Sequence, residues 1–423
     1  MPSRIEPFSA ARSGVAGDEG FRHKFLSGVA FSWGFCAYFP IGVMYLNLLL
    51  MLAALAIWPG AKQALQRLRQ QPVMLPLALF VAWTLVATFS GDWFPDTSTR
   101  LFHTFRVALV LCLGMLLTPT QARMAFLGFL AGSILAAMIV TVHHAWGMPD
   151  WTLWSSLLVT RNNFSSGNMI TMATAASACL VVGVGRGVER SSRWLLLALF
   201  VALALIVALH AISRNSQLLL ASLMLVALLY RFRSVKAAMG GVAAVALLTL
   251  MTWQFSPTTS KRFVEMASDL HAVATEQNYS TSVGVRWRMY QEAVQGIGEH
   301  PLLGTGLGSW LPRWHAVWQQ LGTSQPPELH AQFSQINNPH NDFLLTGMEI
   351  GIPGMLLMVW LLASLFWSGW RSRSTLGGLS VIFAASIAGT ALVNAPLRDA
   401  ALGMTLLWLL GVSLALRGDP GHA

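Results

Sequence analysis

Long apolar stretches recur from one end of the chain to the other, and they constrain its fold more than any other feature. A helix needs roughly 20 apolar residues to cross the hydrocarbon core of a bilayer. Twelve stretches approach or exceed that length: 25–38, 41–58, 73–90, 103–118, 123–146, 167–185, 194–212, 215–230, 236–254, 342–366, 376–394 and 399–416. Only 10% of the residues are charged, whereas a soluble domain carries about 25%. The sequence therefore predicts an all-α, polytopic integral membrane protein with about 12 transmembrane helices.

Basic residues indicate how the predicted spans are oriented. They are concentrated in segments that the span assignment places on one side of the membrane: the N-terminal tail and the loops near 59–72, 186–193, 231–236 and 371–375. Cytoplasmic loops carry an excess of Lys and Arg, so we expect this side, with both termini, to be cytoplasmic. Three regions follow: 1–254 with the first nine spans, a periplasmic loop at 255–341, and 342–423 with the last three spans.

The same distribution explains the net charge of +10. A nucleic-acid-binding surface is typically a basic patch with a recognisable motif, whereas here the basic residues lie in short clusters between apolar stretches. We therefore expect no nucleic-acid partner. The cysteines Cys36, Cys112 and Cys179 each fall within an apolar stretch, so free thiols are expected rather than disulfides or metal ligands.

The predicted periplasmic loop is longer than an ordinary connector, which favours a functional lid or binding element. Residues 286–299 show amphipathic helical spacing, and Pro301 follows to end the predicted helix. The polar, proline-containing stretch 321–339 is predicted to be irregular.

Four arginines lie on the predicted external side, beside apolar spans or in the amphipathic helix: Arg161, Arg214, Arg286 and Arg288. The planar guanidinium binds phosphate oxygens through two parallel hydrogen bonds, so several arginines at the membrane surface would suit a pyrophosphate headgroup. Residues i and i+2 do not share a helix face, so only one of Arg286 and Arg288 is expected to point at a site. From position alone, Arg214 fits equally well with an arginine that extends to the membrane interface.

The most distinctive polar segment is 337–343, which leads into a predicted span with the sequence NNPHNDF. Proline and asparagine are helix-start signals, so His340 is expected at a helix N-terminus. The positive end of the helix dipole disfavours a charged imidazole there, and a neutral imidazole can accept a proton as a general base. The alternative is a histidine that only caps the helix.

Two groups of motifs resemble the signature of O-antigen ligases and their relatives, the O-antigen polymerases and bacterial protein O-oligosaccharyltransferases. The first is HNDFL at 340–344 followed by EIGIPG at 349–354, and the second is RWRMY at 286–290 followed by HPLLGTG at 300–306. Ser213 and Arg214 are similar to the Ser-Arg of an earlier external turn in that family. Tyr290 stands where Trp is common, and it keeps an aromatic ring at that position. The resemblance covers 205–360 by motif and the whole chain by topology.

This resemblance implies a GT-C-like fold and a specific reaction. A glycan would move from undecaprenyl pyrophosphate to a sugar hydroxyl of the lipid A core, in lipopolysaccharide biosynthesis at the periplasmic side of a Gram-negative inner membrane. No metal, nucleotide sugar or other cofactor would take part. His340 would be the base that activates the acceptor hydroxyl, and Arg214 and Arg286 would hold the pyrophosphate and stabilise its developing charge. Because one base and one leaving group suffice for direct displacement, we expect inversion at the anomeric carbon.

Further substrate-binding residues are expected around these three. Position and charge add Arg161 and Arg288, and the motifs add Asn338, Asn341 and Tyr290. The external face lacks an Asp-x-Asp pair, which agrees with a site that binds no metal.

Two further features of the motifs are open to a functional and a structural interpretation. Glu349 lies within a predicted span, where an ionisable group is a functional candidate, but we interpret it as structural and paired with a neighbouring helix. Gly304, Gly306 and Gly308 could form an anion-binding nest, although alternating glycines more often mark a turn.

Other function classes fit parts of the pattern. Twelve spans also suit a secondary transporter, but transporters usually place their sites near the membrane midplane and many show internal repeats. A non-catalytic lipid-binding protein would keep a glycan groove without needing His340. Within the family, a polymerase joins two lipid-linked glycans and a protein transferase uses a protein hydroxyl. The single dominant external loop favours a ligase, by resemblance.

Overall fold

The computed structural model describes residues 10–146, 158–160, 163–211, 213–234, separate parts of 236–275, 281–321 and 336–417. These residues are mostly helical. The helices, in chain order, are α1 (Ala10–Phe35), α2 (Ile41–Ile57), α3 (Ala61–Arg69), α4 (Met74–Ser90), α5 (Thr97–Met115), α6 (Pro119–Trp146), α7 (Ser166–Gly183), α8 (Arg190–His210), α9 (Arg214–Phe232), α10 (Ser282–Glu299), α11 (Trp310–Leu321), α12 (Asp342–Ser372), α13 (Thr375–Ala391) and α14 (Ala400–Leu416). A 3-10 turn follows α1, and two short strands, β1 (Leu158–Thr160) and β2 (Asn163–Phe164), pair antiparallel.

The helices agree with a polytopic membrane protein. Within the described residues, a helix lies at eleven of the twelve predicted spans, whereas the ninth, 236–254, falls partly outside them. Five helices are long and apolar enough to cross a membrane by themselves, or up to six if the bent pair α2 and α3 is one span. The number of spans therefore stays a prediction. The three cysteines are free thiols, as expected.

The orientation of the chain also stays a prediction, and cysteine labelling tests it. In a background without the native cysteines, Q325C should react with a membrane-impermeant maleimide added outside intact spheroplasts. E189C should react only after the membrane is permeabilised, because the basic loop around it is predicted to be cytoplasmic. Labelling of both positions from the same side would contradict the orientation and, with it, the external location of His340.

Close packing of small residues joins the helices. Gly128 of α6 lies against the backbone of α1, and a Cβ atom added there would be 2.1 Å from the Phe31 carbonyl oxygen. Small residues at such crossings are typical of membrane helices, where backbones approach closely. The close approach of α1 and α6 therefore requires a residue without a side chain at this crossing.

The 392–399 turn, which joins α13 to α14, is held by a buried arginine. Arg106 of α5 donates to the carbonyl oxygens of Leu397 and Arg398, each at 3.2 Å. Its guanidinium thus meets carbonyl dipoles rather than lipid, which explains how an apolar stretch accommodates a charge.

A break divides α12 into two parts. Ile350 and Gly351 have non-helical backbone angles, and Gly351 has a φ of 77°, a conformation that glycine adopts readily. A Cβ atom on Gly351 would lie 2.0 Å from the Leu302 carbonyl oxygen. Only glycine fits at this point, so the first part, 342–349, is set off from the longer part that follows.

Two hydrogen bonds satisfy the backbone groups at the break. The Trp83 indole N–H donates to the Ile350 carbonyl at 2.8 Å, and the Ile352 N–H donates to the Pro301 carbonyl at 2.8 Å. The break is thereby a fixed feature supported by α4 and by the segment that follows α10.

An apolar cluster joins α10 and α11 to the first part of α12. Its buried members are Val285, Met289, Ala293, Trp310, Trp314, Val317, Trp318, Leu345 and Met348. Since Phe343 packs against the larger apolar core, the start of α12 contacts both the main helical body and the α10–α11 unit.

Candidate active site

His340 lies in a tight turn immediately before α12. Its backbone has a φ of 54°, and its N–H donates to the Asn338 side-chain oxygen at 2.9 Å. Asn341 caps the helix, since its side-chain oxygen accepts from the Leu344 N–H at 2.9 Å and its amide nitrogen donates to the Leu392 carbonyl at 3.0 Å. The predicted position of His340 at a helix start is confirmed, and the two asparagines shape the turn that presents it.

Helix α10 presents Arg286 and Tyr290 to this turn. The two residues are one helical turn apart and share a face. The Arg286 charge acts on both the His340 imidazole and the Tyr290 hydroxyl, and Tyr290 is hydrogen-bonded with Asn341. Arg288 lies about 200° further round the helix and is directed elsewhere. Of the two arginines, Arg286 is therefore the one whose charge acts on His340.

Burial and a neighbouring cation keep the His340 side chain neutral. Burial lowers the pKa of His340 from its usual 6.5, the Arg286 charge lowers it further, and a hydrogen bond with Asn394 opposes both. Burial raises the pKa of the Tyr290 hydroxyl, while the Arg286 charge and the Asn341 hydrogen bond oppose that change. At neutral pH the imidazole consequently has the free lone pair that a general base needs.

The 392–399 turn brings Asn394 to the imidazole. The Asn394 side-chain oxygen lies 3.4 Å from His340 Nδ1. The turn is tied to α12 by Asp342, whose buried carboxylate accepts from the Leu397 N–H at 2.8 Å. The bond between Asp342 and Leu397 therefore joins the start of α12, next to His340, to the turn that carries Asn394.

The start of α9 reaches the same turn. Arg214 is the first residue of this helix and is half-buried. The next residue, Asn215, donates from its side chain to the Val393 carbonyl at 3.4 Å. Because Val393 precedes Asn394, the helix that begins with Arg214 lies beside the turn that contacts His340.

These residues lie in a part of the chain that matches a known family by sequence. Residues 199–359 match the O-antigen ligase family. The match confirms the resemblance indicated by the HNDFL and HPLLGTG motifs. It runs from within α8 to within α12, less than half of the chain, and it includes Arg214, Arg286 and His340. No curated protein matches the chain.

A buried ionic cluster adjoins the site and joins the region that matches the family to the rest of the chain. The fully buried carboxylate of Glu349 faces Arg100 Nε at 3.8 Å and forms an ion pair with Arg398. Arg100 also donates to the Asn337 carbonyl, in the segment that leads to His340. The predicted pairing of Glu349 with a neighbouring helix is confirmed, since Arg100 belongs to α5, and its structural role stays a prediction.

The glycines of the HPLLGTG motif and after it form a turn against this carboxylate. Gly304, Gly306 and Gly308 all have positive φ, at 75°, 102° and 90°. The Gly308 N–H donates to the Glu349 carboxylate at 3.2 Å. Of the two interpretations of these glycines, the structure supports the turn, which binds an anion of the protein itself.

Some site predictions lie beyond what the structure describes. Arg161 is outside the described residues. Within the described part of the chain, no three His, Cys, Asp or Glu side chains lie together as metal ligands would. Independence from a divalent metal stays a prediction.

Three residues at the site were not predicted: Asn394, Arg100 and Arg398. Each contacts a partner that is distant in sequence, by 54, 237 and 49 residues respectively. The NAP sequence at 394–396 does mark a break between two apolar stretches, but an asparagine at such a break indicates a turn just as well.

Proposed function

We propose that the protein is an O-antigen ligase that transfers a glycan from undecaprenyl pyrophosphate to a sugar hydroxyl of the lipid A core, at the periplasmic face of the inner membrane of a Gram-negative bacterium. One observation carries this proposal: a half-buried His340, whose pKa is lowered by burial and by the Arg286 charge, lies at the start of α12, within the region that matches the family. A base beside a cation suits a reaction in which a hydroxyl loses a proton while a pyrophosphate gains charge.

The reaction is a single displacement. His340 takes the proton of the acceptor hydroxyl while the hydroxyl oxygen forms a bond to the anomeric carbon of the donor glycan. The bond between that carbon and the pyrophosphate oxygen breaks, and its electron pair leaves with undecaprenyl pyrophosphate. One displacement inverts the configuration at the anomeric carbon.

The arginines supply the charge that this leaving group requires. The Arg286 charge acts on His340, and Arg214 begins a helix that reaches the adjoining turn. We assign both to the pyrophosphate, because a guanidinium binds phosphate oxygens through a planar pair of hydrogen bonds. Arg161 and Arg288 stay assigned to substrate binding, and Tyr290 offers an aromatic platform for a sugar.

An apolar groove beside the site supports a donor with a hydrocarbon chain. The groove, of about 560 Å³, runs between α12 and α13 from Phe343 and Ala388 to Trp367. Its other lining residues are also apolar. In the donor the chain is attached directly to the pyrophosphate, whereas the acceptor hydroxyl belongs to a sugar separated from its acyl chains. A groove that begins three residues after His340 therefore suits the chain of the donor.

Reconstitution with three acceptor conditions tests the proposed function. Purified protein and an undecaprenyl-pyrophosphate-linked glycan are combined with lipid A core, with an acceptor protein, or with no acceptor. We expect glycan on the lipid A core, and we expect its formation to continue in excess chelator. Longer glycans from the donor alone would indicate a polymerase, and glycan on the protein would indicate a protein transferase. Absence of product under all three conditions would contradict glycan transfer.

Arg214→Ala and Arg286→Ala should each weaken donor binding about 10-fold or more and lower turnover as well. A hydrogen bond to a charged group contributes roughly 1.5–3 kcal/mol. Lysine at either position keeps the charge but lacks the planar pair of N–H donors of the guanidinium, so it should restore binding only in part. The measurements are donor affinity in detergent micelles and single-turnover transfer.

The matched control for these variants is Arg190→Ala. Arg190 is exposed and begins α8 as Arg214 begins α9, but it lies on the predicted cytoplasmic side. It should leave donor affinity unchanged. Equal losses of donor affinity in all three alanine variants would show that removal of any cation has this effect. Arg214 and Arg286 would then not be assigned to the pyrophosphate.

A further inference from the structure

The Asn394 side chain has a defined amide orientation. Its side-chain oxygen accepts the Ala395 backbone N–H at 2.9 Å. The opposite orientation would place the amide NH2 group against another N–H donor, so the oxygen is the atom that faces both Ala395 and His340.

This orientation determines which nitrogen of His340 carries the proton. The same Asn394 oxygen lies 3.4 Å from His340 Nδ1, and an oxygen of this kind only accepts hydrogen bonds. A neutral imidazole has one N–H and one lone pair. Hydrogen bonding to Asn394 therefore requires Nδ1 to be the donor, which leaves the lone pair on Nε2.

We propose that Asn394 is a positioning residue that selects the Nδ1–H tautomer of His340, so that Nε2 is the atom that takes the proton of the acceptor hydroxyl. This role rests on the proposed function of His340 as the base. The proposal names the atom of His340 that takes the proton, Nε2, and the residue that determines this choice, Asn394.

The surrounding contacts give Asn394 a fixed position relative to the imidazole. Asp342, two residues after His340, binds the Leu397 N–H, and Asn341 binds the Leu392 carbonyl. The 392–399 turn is thus bonded on both sides of Asn394 to the two residues that follow the histidine. A partner that orients an imidazole in this way typically changes activity by about 10–100-fold when it is removed from a metal-binding histidine.

Two groups have opposite effects on the pKa of the imidazole. The Arg286 charge, from α10, disfavours imidazolium, and the Asn394 oxygen, from the turn, favours it. A base acts in its neutral form, so transfer should be lost as the pH falls through the pKa of His340. This fall in rate at low pH is the acid limb of the pH profile, and its midpoint reports how strongly Arg286 and Asn394 shift the pKa of His340.

Variants of Asn394 test the proposal through the pH dependence of turnover at saturating donor. Asn394→Asp keeps an acceptor for Ala395 and adds a negative charge, so it should move the acid limb to higher pH. Asn394→Leu removes the acceptor, so it should move the limb to lower pH and reduce the plateau rate by about 10–100-fold. Asn215→Ala, which loosens the same turn at Val393, should leave the midpoint in place. An acid limb that stays in place in both Asn394 variants would overturn the proposal.

Nitrogen-15 NMR of protein labelled at its histidine rings tests the tautomer without any activity assay. The His340 signals are identified by their loss in His340→Gln. We expect a protonated Nδ1 and an unprotonated Nε2 above the pKa, with this preference lost in Asn394→Leu. A protonated Nε2 in the unaltered protein would overturn the proposal. Full activity of His340→Gln would instead remove the proposed function while leaving the tautomer result valid.

Discussion

His340→Gln should lower the rate of glycan transfer by about 10²–10⁴-fold, the usual contribution of a general base. Donor affinity should be largely retained, because a neutral imidazole contributes little to binding a pyrophosphate. The residual rate should also lose the acid limb of the pH profile. Single-turnover transfer and donor binding, measured on the same preparation, separate the two effects.

The control for this variant is His300→Gln. His300 is an exposed histidine at the end of α10, in the same part of the chain. It should transfer glycan at the rate of the unaltered protein. If His340→Gln lost donor affinity and kept its rate once donor was bound, His340 would be a binding residue rather than the base.

Glu349→Gln should reduce the free energy of unfolding by about 3–5 kcal/mol, the usual effect of removing one partner of a buried ion pair. The change leaves the guanidinium groups of Arg100 and Arg398 without the carboxylate that they share. Because Arg100 also holds the segment before His340, the loss should appear in activity as well. Thermal unfolding in detergent, followed by size-exclusion chromatography, measures the effect.

Glu299→Gln is the matched comparison for this variant. Glu299 also pairs with an arginine, Arg313 at 2.8 Å, but its side chain is 39% exposed. An exposed pair contributes about 1 kcal/mol or less, so this variant should unfold close to the temperature of the unaltered protein. Equal losses in the two variants would contradict the structural importance of the buried cluster.

Local sequence patterns predicted most of the helices and the position of His340 at a helix start. Hydropathy over 20-residue windows depends on neighbours along the chain, and so does the helix-start signal around His340. The α10 helix was likewise predicted by its amphipathic spacing and its terminating proline. Each of these properties is determined within a few turns of the chain.

Residue pairs that depend on tertiary contact could not be predicted in the same way. Arg100 meets Glu349 across 249 residues of sequence, and hydropathy gives no sign of which charge pairs with which. The neutral state of His340 was predicted from the helix dipole, but the structure attributes it first to burial and then to Arg286. Burial of an individual side chain depends on tertiary packing. Sequence periodicity indicates only which face of a helix is buried on average.

The break in α12 separates the part of the helix that follows His340 directly from the longer part beyond Gly351. Bilayers differ in thickness, and a long apolar helix adapts to them by tilting. Here the longer part begins after Gly351, whereas 342–349 packs against α10 and α11 in the apolar cluster and is bonded to the 392–399 turn and to Arg100. Because Trp83 and Pro301 hold the backbone at the break, we expect a tilt of the long part to end there rather than reach His340. The position of His340 is therefore expected to stay the same in bilayers of different thickness.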